Sequence, residues 1–256
     1  HRDLHSFPTR RSSDLNNATT SNKQIVIRKN GSYRVYGNVP LVEKTQVVSE
    51  FGEPLTWKKE GEIETEPDEY SLCRCGHSGD KPFCDGTHRK IGFDGTESAK
   101  TDGPSDLQFQ FPRGTHLIVR KDPTLCMNSG YCGLRDADIS QFIANSGDTQ
   151  ARLLAIAMVE RCPSGALTYT LEKGDADIEP DLPQQIAVTT EITSDGPIAG
   201  PLWVTGGVPI QRSDGEPFET RNRVTLCNCG LSGNKPLCDG THREVGQRLL
   251  RTQKDE

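Results

Sequence analysis

The sequence predicts an α+β chain made of two small β-rich units, one an internal repeat of the other, with a third α+β segment inserted between them. The first observation is the stretch Leu72 to His88, LCRCGHSGDKPFCDGTH, which returns at Leu226 to His242 as LCNCGLSGNKPLCDGTH. The second is that the flanks repeat too. Ser32 to Leu41, SYRVYGNVPL, matches Pro201 to Ile210, PLWVTGGVPI, and Gly52-Glu53-Pro54-Leu55 matches Gly215-Glu216-Pro217-Phe218, so the repeat is a whole domain. The third is composition. A length of 256 residues exceeds one compact core, while an apolar content of 32% with 25 Gly and 16 Pro predicts small cores and many loops.

Residues 1–15, HRDLHSFPTRRSSDL, are set aside, because HSFPTRRSSDL reads as a translated sequencing-adapter oligonucleotide rather than as a folded segment. His1 and His5 are therefore not ligands. Ile25 to Arg28 and Tyr33 to Tyr36 read as short strands about the turn residues Asn30 and Gly31. The first copy is the longer between its shared glycine, Gly37, and Cys73, and much of the excess is Trp57 to Glu69. Its Glu-rich composition reads as a solvated loop or mobile hairpin. Pro104 to Glu172 belongs to neither copy. There Thr115 to Arg120 reads as a strand, Asp148 to Arg161 as a helix with Leu154, Ala157, Met158 and Arg161 along one face, and Ala166 to Leu171 as a strand. The domain limits are drawn at 24–100, 104–175 and 185–250.

The chemistry sits in the repeated stretch. Cys73, Cys75, Cys84 and His88 stand at C-x-C-x8-C-x3-H spacing, and Cys227, Cys229, Cys238 and His242 correspond to them one for one. Three thiols and an imidazole in one loop and turn are enough to close the coordination sphere of a metal or cluster, and spacing alone leaves both a zinc ion and an iron-sulfur cluster open. His77 is not counted as a ligand, because Leu231 holds its place in the second copy. Asp85 and Asp239 follow the third Cys, where a carboxylate can accept backbone N–H groups at a turn or helix start. Lys81 and Lys235 recur beside the ligands, either solvated or as a charge near an anionic cluster.

With Ser78 and Pro82, and with Ser232 and Pro236, both copies resemble the CDGSH iron-sulfur family. The resemblance implies two 2Fe-2S clusters, each held by three Cys and one His. Single-motif members form homodimers with exchanged strands, so a tandem chain is expected to satisfy that interface internally, as a monomer with a pseudo-two-fold core. The membrane-anchored members carry a spanning segment, whereas no apolar run here approaches that length.

The middle segment brings Cys126, Cys132 and Cys162, the last followed by Pro163, and Cys-Pro closing a helix after a C-x5-C loop is a ferredoxin arrangement. ERCPSGALTY is similar to the end of the divergent 4Fe-4S mono-cluster domains, which makes the insertion ferredoxin-like. The chain departs from the full pattern, having Asn128 and Ser129 where further ligands are expected. Three thiolates suit a 3Fe-4S cluster, or a 4Fe-4S cluster whose fourth iron takes another ligand; the bland alternative is three small buried hydrophobes. His116 reads as a strand residue.

A net charge of −6 without a basic stripe speaks against a nucleic-acid surface. The cysteines are better used as ligands than as disulfides, which points to a reducing, cytoplasmic setting. No nucleotide fingerprint or nucleophile with its base appears, so the expectation is not an enzyme but an electron-transfer or redox-sensing protein that meets a redox partner. The alternatives are a cluster donor to apoproteins and a zinc-binding interaction module.

Overall fold

The computed structural model of the chain describes residues 23–100 and 106–255. The expectation for residues 1–15, and the boundary drawn at residue 104, lie outside the described residues.

In the first copy, apolar residues alternate inward along β1 (Gln24–Ile27) and β2 (Tyr33–Tyr36), burying Ile25, Ile27, Tyr33 and Val35. They are followed by β3 (Leu41–Val48), β4 (Pro54–Ile63), β5 (Glu69–Leu72) and the single-turn α1 (Thr87–Lys90). The second copy supplies β9 (Gln185–Thr193), β10 (Gly196–Thr205), β11 (Ile210–Gln211), β12 (Arg223–Leu226) and α4 (Thr241–Asp255). Between them β6 (Phe109–Gln110), β7 (Ile118–Lys121) and β8 (Leu167–Thr170) form a small antiparallel sheet, accompanied by α2 (Ile139–Ala144) and α3 (Thr149–Arg161).

The two copies exchange strands. Both Val-Pro dipeptides lead into a strand that leaves its own hairpin and pairs in parallel with the first strand of the other copy: β11 with β1, β3 with β9. The junction bonds correspond, Ile25 N–H donating to the Pro209 carbonyl at 2.8 Å and Ile186 N–H to the Pro40 carbonyl at 2.9 Å. The resulting sheets run β11-β1-β2-β5 and β12-β10-β9-β3-β4. One continuous apolar core passes through all three segments, with Ile25 and Leu41 from the first, Leu117 and Val159 from the middle, and Ile186 and Leu226 from the second.

The two C-x-C-G loops meet at the centre of this arrangement. A Cβ built on Gly76 would stand 2.3 Å from the Cys229 carbonyl oxygen, and one on Gly230 would stand 2.6 Å from that of Cys75. Tyr33 reinforces the join, its buried hydroxyl donating across the copies to the Cys227 carbonyl at 2.8 Å.

Two local expectations are corrected. Trp57 to Glu69 is largely a strand, because β4 pairs along β3 and Trp57 is stacked between Trp203 and Tyr131, at ring separations of 5.8 and 5.9 Å. Its Lys and Glu residues decorate the exposed edge, where charge discourages further pairing. In α3, which Asp148 caps by accepting the Ala151 N–H, the buried face is Ala155, Met158 and Val159, continued by Cys162, while Leu154 faces out. The face is set by bringing Cys162 inward at the helix end.

Gly76→Ala and Gly230→Ala each press a methyl group against a carbonyl of the opposite loop. Both are expected to lower the melting temperature far more than Gly52→Ala, whose φ of 80° is shared but whose added Cβ meets open space. That control carries only the left-handed strain of about 1 kcal/mol. Equal shifts for all three in thermal denaturation would show that the loops do not bear on each other.

Candidate metal centres

In the first copy, β5 delivers the chain to Cys73 and α1 presents His88. Cys73 N–H donates to the Pro82 carbonyl at 2.8 Å and Cys84 N–H to that of Ser71 at 2.9 Å, which folds the loop back on its strand. The Ser78 hydroxyl donates to the Phe83 carbonyl at 2.6 Å. Asp85 closes the turn by accepting the N–H groups of Gly79 (2.8 Å) and Thr87 (2.9 Å), which hold its carboxyl well below the usual carboxylate range. A carboxylate so depressed keeps its contribution above the ordinary carboxylate range and loses it only in stronger acid, so this anchor survives mild acidification. Ser232 and Asp239 repeat the same bonds in the second copy, at 2.7 Å to the Leu237 carbonyl and at 2.8 and 3.0 Å from the N–H groups of Gly233 and Thr241.

The ligand candidates come as two pairs in each copy. The Cys73 and Cys75 sulfurs are 3.9 Å apart and the Cys84 sulfur lies 3.3 Å from His88 Nδ1; the second copy gives 3.8 Å for Cys227 and Cys229 and 3.3 Å for Cys238 and His242 Nδ1. Two sulfurs on one tetrahedral metal stand about 3.8 Å apart when each bond is about 2.3 Å. Each pair thus matches the bite of one metal atom. Among the described residues, however, no three Cys, His, Asp or Glu side chains converge on a single point. Each donor set thus offers two separate two-donor bites. Burial raises the thiols of Cys75 and Cys238, whereas the hydrogen bond shared with Cys229 lowers that of Cys227. Loading therefore displaces protons from the buried thiols.

Outside the ligands the copies differ. His77 is exposed, its Nδ1 2.7 Å from the Cys75 carbonyl oxygen, and Lys81 is exposed, while Lys235 Nζ donates to the Ser232 carbonyl at 2.9 Å. The larger difference is Glu191 on β9, which the sequence reading missed. Its fully buried carboxylate meets His242 Nε2 at 3.0 Å and is also held by Arg243. Among the described residues His88 has no such partner. A signal was available, since Glu191 is an isolated acid in the otherwise uncharged run QIAVTTEIT.

In the middle segment Cys126, Cys132 and Cys162 line one cavity of about 170 Å³, together with Asn128, Ser129 and Ser164. Asn128 Oδ1 lies 3.6 Å from the Cys126 sulfur and Ser164 Oγ 3.6 Å from that of Cys162. These oxygens add fourth-ligand candidates to three thiols. Burial raises the Cys132 thiol. His116 is exposed in a bend before β7 and does not line the cavity. The cavity abuts the second copy: Asn128 Nδ2 donates to the Asp239 carbonyl at 3.3 Å and Asn234 Nδ2 to that of Thr124 at 2.7 Å.

Partners that orient a ligating His raise metal affinity, and losing one weakens binding by about 10- to 100-fold. Glu191→Gln is accordingly expected to speed chelator-driven metal release from the second centre within that range while leaving the first unchanged. Equal release from both centres, followed by absorption, would contradict a specific role for this carboxylate.

A search of the curated proteins finds no match to the chain. Family models do match. The model described as iron-binding zinc finger CDGSH type covers residues 30–89 and again 199–243, and the one described as divergent 4Fe-4S mono-cluster covers residues 113–172. The three matched segments contain, respectively, the first ligand set, the second, and the three middle cysteines. The chain thus contains two segments of the iron-binding zinc finger CDGSH type and, between them, a divergent 4Fe-4S mono-cluster segment.

Proposed function

We propose that the chain is an electron carrier with three centres. Two 2Fe-2S clusters would be held by Cys73, Cys75, Cys84 and His88 and by Cys227, Cys229, Cys238 and His242, and one 3Fe-4S or 4Fe-4S cluster by Cys126, Cys132 and Cys162. A bound iron-sulfur cluster supplies a site that takes up and returns single electrons. The contribution of the chain is to hold the sites close together and largely out of water. The observation that carries the reading is contiguity: the first loop touches the second through Gly76 and Gly230, and the middle cavity touches the second through Asn128 and Asp239. The exchanged strands and the paired glycine contacts support a pseudo-dimer within one chain. The ferredoxin-like character of the insertion is supported by the small sheet with its two helices and by Cys162-Pro163 at a helix end.

On this reading the protein is not an enzyme, and it works in a reducing compartment such as the cytoplasm, where nine free thiols stay available. Among the described residues no helix is long and apolar enough to cross a membrane. A second reading, donation of clusters to apoproteins, is favoured by one observation: Cys84 and His88 are only half buried, whereas Cys238 and His242 are buried.

Stepwise reduction of anaerobically purified protein, followed by EPR, separates the readings. Neighbouring centres are expected to broaden one another's signals, and Cys126→Ala is expected to remove the middle signal and sharpen that of the second centre. Signals unchanged by Cys126→Ala would mean isolated sites and would overturn the relay. Rapid cluster migration to an added apo-ferredoxin would instead establish the donor reading.

A further inference from the structure

The repeat is broken at one place beside the ligands, the hairpin that faces each histidine. In the first copy Gln24 pairs with Tyr36 and the hairpin turns at residues 28–32; in the second Gln185 pairs with Thr205 and the strands run on to Thr193 and Gly196. The longer hairpin carries Glu191 over His242, and α4 packs against it, Gly246 on Ile198, leaving His242 only 5% exposed. The shorter hairpin stops before it can cover His88. What remains is an open cavity of about 830 Å³ that has Cys84 and His88 in its wall.

That cavity is cationic. Arg28 and Lys29 from the short turn, Arg34 from β2 and Arg89 from α1 line it, and among the described residues no Asp or Glu does. Arg34 is neutralised by Glu69 at 2.9 Å, but among the described residues no carboxylate pairs with Arg28, Lys29 or Arg89. Asp85, the nearest acid in sequence, is engaged in its own turn by Gly79 and Thr87. On a chain of net charge −6 this is a local reversal of sign at the opening to a ligand pair.

We propose that this cavity is the docking surface for an acidic protein partner, which meets the chain at the first centre and not at the second. The proposal rests on the carrier reading for its purpose, not for its geometry. All three unpaired cations are exposed and stand at the rim, where they suit a convex surface bearing carboxylates. A small anion would instead call for donors converging on a buried point, and a planar organic ligand for an apolar slot. Charge of one sign around a cleft steers encounter and raises association rates by about 10- to 1,000-fold, an advantage that salt removes.

The test uses the cluster-loaded protein and a small acidic plant-type ferredoxin as probe. Calorimetry on the oxidised pair reads docking, and stopped-flow mixing of the oxidised protein with the reduced probe, the stronger reductant because its cluster has only thiolate ligands, reads electron exchange, both over a range of salt. The rim variant is Arg28→Glu/Lys29→Glu/Arg89→Glu. Its control is Lys58→Glu/Lys59→Glu/Lys173→Glu, an equal charge change on β4 and after β8, and both are checked for unchanged cluster absorption. Wild type and control are expected to bind and exchange fastest at low salt, whereas the rim variant loses about tenfold or more in both and becomes insensitive to salt. Docking that depends on the rim while no electron passes would retain the surface and overturn the carrier reading. Exchange indifferent to the rim charges would overturn the docking surface, as would inorganic pyrophosphate that fills the site without displacing the probe.

Discussion

The rest of the structure depends on the contact between two C-x-C-G loops. Gly76 and Gly230 share a φ of 80° and each lies against the carbonyl of the opposite copy's second Cys, an approach that no side chain leaves room for. Each copy hands the other a strand immediately after its Val-Pro step, so neither sheet is complete without the other copy. The middle segment is then clamped rather than appended. Gln46 on β3 donates to the Ser129 carbonyl while its own side-chain oxygen accepts from Ile192 N–H on β9, joining all three segments through one buried amide. Positions of the ligand loops are in this way over-determined by backbone contacts, as sites that must hold a fixed geometry require.

Much of this was legible in the sequence, for identifiable reasons. A repeated Cys and His spacing singles out its ligand candidates, because coordination constrains residue type more tightly than packing does, and Leu231 at the place of His77 argues against His77 as a ligand. Asp85 and Asp239 were legible as turn anchors because the side chain and the backbone groups it binds are close in sequence. What stayed hidden depends on distant partners. The strand character of Trp57 to Ile63 comes from stacking on Trp203 and Tyr131, far away in sequence. The inward face of α3 is set by where Cys162 must point, not by the helix's own apolar stripe. Glu191 could be seen as an unusual residue in a strand, but its contact with His242 needs the folded hairpin.

The two CDGSH copies are alike in their ligand pairs and unlike in what surrounds them. The buried Glu191 carboxylate on the distal nitrogen of His242 would make that imidazole a stronger metal donor, whereas the open cationic cavity leaves His88 half exposed. The asymmetry originates in the length of one hairpin. The second ligand loop also touches the first through the two glycines and the middle cavity through Asn128 and Asp239, while the first centre keeps the open side. A chain with two copies of one motif can in this way specialise them without changing a ligand.

Metal and acid-labile sulfide analysis of anaerobically purified protein tests the central claim most directly, because iron-sulfur clusters carry sulfide and a lone tetrahedral metal site does not. Two 2Fe-2S centres and one cubane-type centre predict roughly seven to eight iron and about eight sulfide per chain, with negligible zinc. About two zinc ions per chain and no sulfide would contradict it, and would return both motifs to structural metal sites.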